Sequence, residues 1–207
     1  MSTVTTRWWW VRHAPVAGRK GRIYGVMDVE ADVADEAALS ALAGRLPGAA
    51  LWVTSHLMRA KQTATALAAA GADIETCVVE PDLAEQDFGS WQGLTYAEID
   101  QARGASKSRF WLAPARHTPP GGESFADVAA RVTRVVTRLN AAHGGRDIVA
   151  VAHGGPIRAA LGLALGLDLE TALRFSIDHL SLTRLDHIRG ADGDDAWRVV
   201  AVNRPAT

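Results

Sequence analysis

Short apolar runs alternate along this chain with longer stretches whose apolar positions recur every three or four residues. Residues 8–12 ("WWWVR"), 50–54 ("ALWVT"), 75–79 ("ETCVV") and 147–152 ("DIVAVA") are the strand-like runs. Runs with no polar face are expected of strands that helices cover on both sides of a sheet. Between them, residues 35–46, 57–70 and 156–165 predict helices, the second capped by Thr54 or Ser55 and stopped by Gly71. Over residues 124–142, Phe125, Val128, Val132, Val135, Val136 and Leu139 keep a helical spacing behind Ser124, a natural N-cap. Two last strand-like runs, 179–186 and 197–203, flank "DGDD", which reads as a hairpin turn because it lacks the other positions of a calcium loop. The pattern predicts an α/β three-layer sandwich: a mostly parallel sheet, helices on both faces and an antiparallel strand near the edge. One domain is expected over residues 1–207, with the Pro/Gly-rich region 81–122 as a lid or insert.

Composition narrows the field without choosing a function. The chain has 207 residues, 22 Lys and Arg against 23 Asp and Glu, and a formal net charge of −1. That balance excludes a generally basic, nucleic-acid-coating surface, so any anion site is a local concentration of charge. A single cysteine, Cys77, precludes an internal disulfide and points to a reducing compartment. Residues 1–7 lack the apolar stretch of a signal peptide, and 8–11 are far fewer than the ~20 apolar residues a membrane span needs. A cytoplasmic protein without membrane association is the expectation.

In open α/β sheets, ligands bind beyond the carboxyl ends of the strands. The first strand ends in Arg12-His13, the second is followed by Arg59, the third leads to a loop with Glu85, and the fourth ends in His153-Gly154-Gly155. Each alone has an ordinary structural reading: a solvated helix arginine, a loop carboxylate, a satisfied histidine at a strand end. Together they suit phosphoryl transfer. Arg12 and Arg59 offer planar forks of donors to phosphate oxygens, and a helix N-terminus after His153 adds backbone N–H groups. A histidine among cations is biased toward its neutral, nucleophilic form. One ring nitrogen can attack phosphorus while a backbone carbonyl fixes the other, and Glu85 can protonate the leaving alcohol.

The motifs "VRHAPV", "TSHLMRAKQTA", "LAEQDFGSWQGLTYAEI", "PPGGESFADVAARV" and "VAHGGPIRAAL" resemble, in this order, those of the histidine phosphatase (phosphoglycerate mutase-like) superfamily. The resemblance implies His13 as phosphorylated nucleophile, with Arg12, Arg59 and His153 as the phosphate pocket and Glu85 as proton donor. It also implies a reaction without metal or cofactor on a small phosphorylated metabolite. Tyr24, Gly25 and Asp28 in "IYGVMDV" are similar to the small phosphatases of the α-ribazole phosphatase group. Arg22, Tyr24, Gly154 and Glu123 join Arg12, Arg59 and His153 as expected substrate contacts, Glu123 as a group that orients a pocket residue. Departures lie at His56, where the family commonly has proline, and in residues 30–35, which the reading assigns to local packing and substrate contacts.

Two other readings stay open. One is a mutase that moves phosphate between hydroxyls of one sugar acid; the other is a non-catalytic module that binds a phosphorylated ligand. Residues 19–22 ("RKGR") form a basic segment that is either a solvated loop or an arm facing substrate. The sequence leaves homodimerisation and the leaving group open.

Overall fold

The computed structural model describes residues 3–18, 21–102 and 112–207. Among them, six strands form one sheet: β1 (Val4–Arg12), β2 (Leu51–Thr54), β3 (Cys77–Val79), β4 (Asp147–Ala152), β5 (Leu182–Arg189) and β6 (Asp195–Arg204). Their order is β3-β2-β4-β1-β5-β6. The first four of that order run parallel, while β5 pairs antiparallel with both β1 and β6. Helices cover both faces, so this is the three-layer α/β sandwich the pattern predicts, with the antiparallel pair at one edge.

The helices are α1 (Glu36–Ala43), α2 (Met58–Ala69), α3 (Tyr96–Ala102), α4 (Phe125–Ala142), α5 (Gly154–Leu165) and α6 (Leu169–Ala172). Alternation along β1 separates two cores. Trp8 and Trp10 pack with α4 and α5 residues such as Val132, Val136, Ile157 and Leu161, whereas Val11 packs with Leu39, Leu42, Ala60 and Leu67 of α1 and α2. Trp8 and Trp10 stack with ring centroids 5.0 Å apart and are both buried; truncating either would cost about 3–5 kcal/mol. Trp9 departs from the expected two-sided burial. Its ring is half-buried, it donates to Asp147 Oδ1, and the Arg184 guanidinium lies over it.

Local signals set most helix ends. Ser124 and Asp127 form a reciprocal capping box at the start of α4, worth ~1 kcal/mol. The start of α2 differs from expectation. Its N-cap is Leu57, with no side-chain cap of its own, and the Asp28 carboxylate reaches across to accept from Met58 N at 2.6 Å. Ser55 is thereby left for another partner. The helix after β4 opens at Gly154, two residues before the predicted start, and β5 opens at Leu182, so His179 precedes the strand in a turn.

Between β3 and α4 lie two 3-10 turns (Pro81–Leu83 and Gly89–Trp91), α3 and a Pro/Gly-rich loop. Residues 19–20 of the basic segment and 103–111 of the expected lid lie outside the described residues. No helix among the described residues is long and apolar enough to cross a membrane. Cys77 is half-buried on β3, and burial pushes its thiol up to about 11, so it carries no thiolate at neutral pH.

Candidate active site

Strand register builds the rim. Arg12 pairs with Ala152 and Thr54 with Val151, so the residues next in line across three neighbouring strands are His13, His153 and Ser55. Pairing continues one residue past β1, where His13 N donates to Ala152 O at 3.0 Å. The two side chains therefore alternate. Arg12 reaches toward the start of α5, and His13 turns toward α2, where Arg59 waits.

His13 is 1% exposed. Its Nδ1 lies 2.6 Å from Ala14 O, a contact only a protonated Nδ1 can make, and its Nε2 accepts from Arg59 Nε at 3.3 Å. The ring thus presents an unprotonated Nε2. Burial, then the charges of Arg59 and Arg12, hold His13 well below the ordinary imidazole value. The sequence reading credits the cations alone; burial is the larger cause.

Each neighbour is fixed in turn. Arg59 donates through Nη1 to Met27 O and through Nη2 to Gly25 O, and its guanidinium lies over the Tyr24 ring at 4.9 Å. The loop that carries Tyr24 and Asp28 therefore holds both the arginine and its helix. His153 lies with its ring 5.0 Å from that of His13. Its Nε2 meets Ser55 Oγ at 2.7 Å, while its Nδ1 is buried without a protein partner among the described residues. Arg12 donates Nη1 to Ile177 O, and its Nε is likewise buried and unpartnered. The Arg12 Nε–H is thus a donor free to meet a ligand oxygen, and His153 Nδ1 can donate or accept according to its tautomer. Burial, followed by the neighbouring His13, keeps His153 well below its usual value.

Glu85 closes the other side. Its Oε1 accepts from Gly155 N at 3.0 Å and from Gln86 N at 2.9 Å, which seats the carboxylate on the first turn of α5, where the helix dipole favours it. The bare Gly155 leaves room for this arrangement, since a Cβ would stand 2.3 Å from Glu85 Oε1 and displace the carboxylate. Behind the loop, Arg131 donates to Asp82 O and Glu85 O and pairs with Glu123 at 2.7 Å; Glu123 also accepts from Asp87 N. Its carboxylate is thus engaged behind Glu85 and not turned on a ligand.

The expected residues do not all converge. Arg12, His13, Arg59, Glu85, His153, Gly154 and Tyr24 form a chain of close neighbours. Arg22 stands apart, donating to Gly93 O and pairing at 3.5 Å with Glu98, both well exposed. His56 is exposed ahead of α2. Sequence reasoning passed over Ser55 and His179. The His179 ring lies 5.1 Å from His13, with Nε2 3.5 Å from Tyr24 Oη. A tight turn presents it: Leu180 has φ 56°, and its N–H donates to Arg12 O at 3.0 Å. Burial, then Arg12, bring His179 down to about 4. Among the described residues, no group of three or more His, Cys, Asp or Glu side chains is gathered as a metal would need.

An α/β sandwich that collects imidazole and guanidinium groups around one neutral histidine, at the carboxyl rim of its parallel strands, is the class that fold and site define. The chain belongs to the histidine phosphatase superfamily (branch 1), whose pattern matches residues 8–204. A Mycobacterium tuberculosis protein named as bifunctional is 41% identical over 157 residues, which cover 75% of this chain and 42% of that protein. The chain thus spans less than half the length of that relative. The glucosyl-3-phosphoglycerate phosphatase of Mycolicibacterium vanbaalenii is 34% identical over 215 residues, covering 95% of this chain and 93% of that protein. The native structure of a mycobacterial glucosyl-3-phosphoglycerate phosphatase superposes with a TM-score of 0.83 at 31% identity, covering 97% of this chain and 99% of the other.

Proposed function

We propose that this chain is a metal-independent phosphomonoesterase that works through a phosphohistidine on His13. The observation that carries the reading is the state of the His13 ring: Nδ1–H held by Ala14 O, and an unprotonated Nε2 facing Arg59. In the first step Nε2 attacks phosphorus and the ester P–O bond breaks. Glu85 gives its proton to the departing alkoxide, and the phosphoryl group stays on His13. In the second step the Glu85 carboxylate takes a proton from water, whose oxygen attacks phosphorus as the P–N bond breaks, releasing phosphate and regenerating neutral His13. Arg12, Arg59, His153 and the Gly154 amide hold the phosphoryl oxygens, meeting with fixed donors the charge that develops. Tyr24 walls the site. Glu123 acts through Arg131 to position Glu85, and the loop that carries Glu85 and Phe88 borders the leaving group.

The substrate is a small phosphorylated metabolite in the cytoplasm. Likeness to glucosyl-3-phosphoglycerate phosphatases along the whole chain makes that ester the first to assay; α-ribazole phosphate is the second, on the resemblance of Tyr24, Gly25 and Asp28. The decisive experiment needs no natural substrate. With p-nitrophenyl phosphate and excess chelator, turnover persists, and rapid acid-free quenching traps an acid-labile phosphoenzyme at residue 13. His13→Ala abolishes the label and lowers kcat by at least ~10⁴-fold. Turnover that disappears with chelator, or a label on another residue, overturns the proposal. Isomerised phosphoglycerate with little free phosphate would establish the mutase instead.

A further inference from the structure

Ser55 and His153 are both fully buried, and Ser55 Oγ lies 2.7 Å from His153 Nε2. The proposed chemistry gives Ser55 no task. Burial, then the neighbouring His13, hold His153 well below the usual imidazole value, so at neutral pH its ring carries one proton. That proton sits either on Nε2, facing Ser55, or on Nδ1, which is buried with no protein partner among the described residues. The hydrogen bonds of Ser55 decide between the two. Its oxygen already accepts from Leu57 N at 3.3 Å. Among the described residues, His153 Nε2 is the one acceptor within hydrogen-bond distance of its hydroxyl.

With the ring proton on Nε2, Ser55 Oγ would accept twice, and its own O–H would be buried without an acceptor. Nδ1 would then turn a lone pair toward the oxygens of a bound phosphate and repel them. With the proton on Nδ1, the Ser55 hydroxyl donates to Nε2 and both of its roles are filled. The Nδ1–H that remains is a donor matched to an anionic oxygen. We propose that Ser55 is a positioning residue: it donates its hydroxyl proton to His153 Nε2 and so fixes His153 as an Nδ1–H donor to a phosphoryl oxygen. The role toward phosphate rests on the reading of the site given above; the tautomer does not.

The two histidines then carry the same tautomer and do opposite work. At His13, Ala14 O holds Nδ1–H and leaves the Nε2 lone pair to attack. At His153, Ser55 holds Nε2 and leaves Nδ1–H to donate. Rings 5.0 Å apart thus become nucleophile and donor according to which nitrogen the protein occupies. Asp28 makes this possible from a distance, because it takes Met58 N and spares the Ser55 hydroxyl from capping α2.

The test is ring-nitrogen NMR of isotopically labelled protein at pH 7, with each imidazole assigned through its own Cβ and spectra taken with and without inorganic phosphate. Wild type shows His153 protonated at Nδ1 and bare at Nε2, and the Nδ1–H signal shifts as phosphate saturates the site. Ser55→Ala lets the Nε2–H tautomer appear. It also lowers kcat/KM for p-nitrophenyl phosphate by about 10–100-fold, the scale seen when a metal-ligating histidine loses its outer partner. Ser55→Thr, which keeps a hydroxyl, restores the Nδ1–H form and most of the activity. A wild-type His153 protonated at Nε2 overturns the inference, whether or not either variant folds, and leaves the phosphatase reading standing. A wild-type tautomer that persists unchanged in Ser55→Ala overturns the role of Ser55. An Nδ1–H signal indifferent to saturating phosphate, in a protein that hydrolyses p-nitrophenyl phosphate, overturns donation to the phosphoryl oxygen. No turnover of that ester by wild type overturns the phosphatase reading itself, and the spectrum still decides the tautomer.

Discussion

At the proposed phosphoryl end of the site, the candidate groups leave the ends of paired strands or the first turn of a helix: His13 after β1, His153 after β4, Arg59 at the start of α2. At the leaving-group end, Glu85 and Phe88 hang on irregular chain, and what fixes them is a side-chain network, with Arg131 on two loop carbonyls and Glu123 locking Arg131. The first construction inherits its precision from hydrogen-bonded register, so its geometry follows from sheet formation. The second depends on a few contacts made across the domain. In the proposed mechanism phosphate handling and leaving-group handling are therefore separable, and substitutions can address one without the other.

The largest effect expected from that separation is at Glu85. Glu85→Gln keeps the hydrogen bond from Gly155 N but has no proton of useful acidity. Hydrolysis of an alkyl phosphate falls by about 10²–10⁴-fold. In kcat/KM, which reports phosphoryl transfer to His13 and not the later hydrolysis that Glu85 also assists, p-nitrophenyl phosphate falls far less, because its phenolate leaves unprotonated. Steady-state kinetics on the two substrates measure this; equal losses on both would place Glu85 at the phosphoryl end and collapse the distinction.

Gly155→Ala sharpens the comparison at the point where the two ends touch. Its new Cβ stands 2.3 Å from Glu85 Oε1, so the carboxylate must move, while Arg12, His13 and Arg59 have no reason to. Displacing a catalytic group by about 1 Å costs ~10²-fold, and that loss is expected on alkyl esters. Inhibition by inorganic phosphate should change far less than that, because Gly155 itself carries none of the groups assigned to phosphate. A parallel loss of phosphate affinity would show that the ends are coupled.

The same division explains what the sequence reveals. "WWWVRH" and "DIVAVAHGG" announce β1, β4 and their terminal histidines, because buried parallel strands are uninterrupted apolar runs and the chemistry sits at their ends. The long helix is equally plain from its period and from Ser124. What stays hidden is set by tertiary register. Ser55 meets His153 across 98 positions of chain, and Asp28, 30 residues away, takes the capping role that a local reading gives to Thr54 or Ser55. His179 gives no local signal either, since its turn runs through a left-handed leucine where a glycine would have advertised it. Arg22 turns away toward Gly93 and Glu98 for the converse reason: proximity in sequence to a motif does not say which way a side chain turns.

The smallest expected effect concerns stability, and it too belongs to one end. His13 and His153 lie well below the usual histidine range, chiefly through burial and then through Arg59 and His13 respectively; His179 lies at about 4, through burial and then Arg12. In the unfolded chain each titrates near ~6.5. Below that pH the unfolded state binds protons that the native state refuses, so stability is full above pH ~6.5 and declines as pH falls toward 4. The cavity beside Glu85 at the leaving-group end has no histidine in its wall, so all three of these groups belong to the other end. Thermal unfolding should show Tm falling between pH 7 and 5, before most carboxylates protonate, and His179→Gln should make that fall shallower by removing one of the three groups. A Tm independent of pH over this interval would mean that the imidazoles are not held neutral. A slope unchanged by His179→Gln would take His179 out of the set.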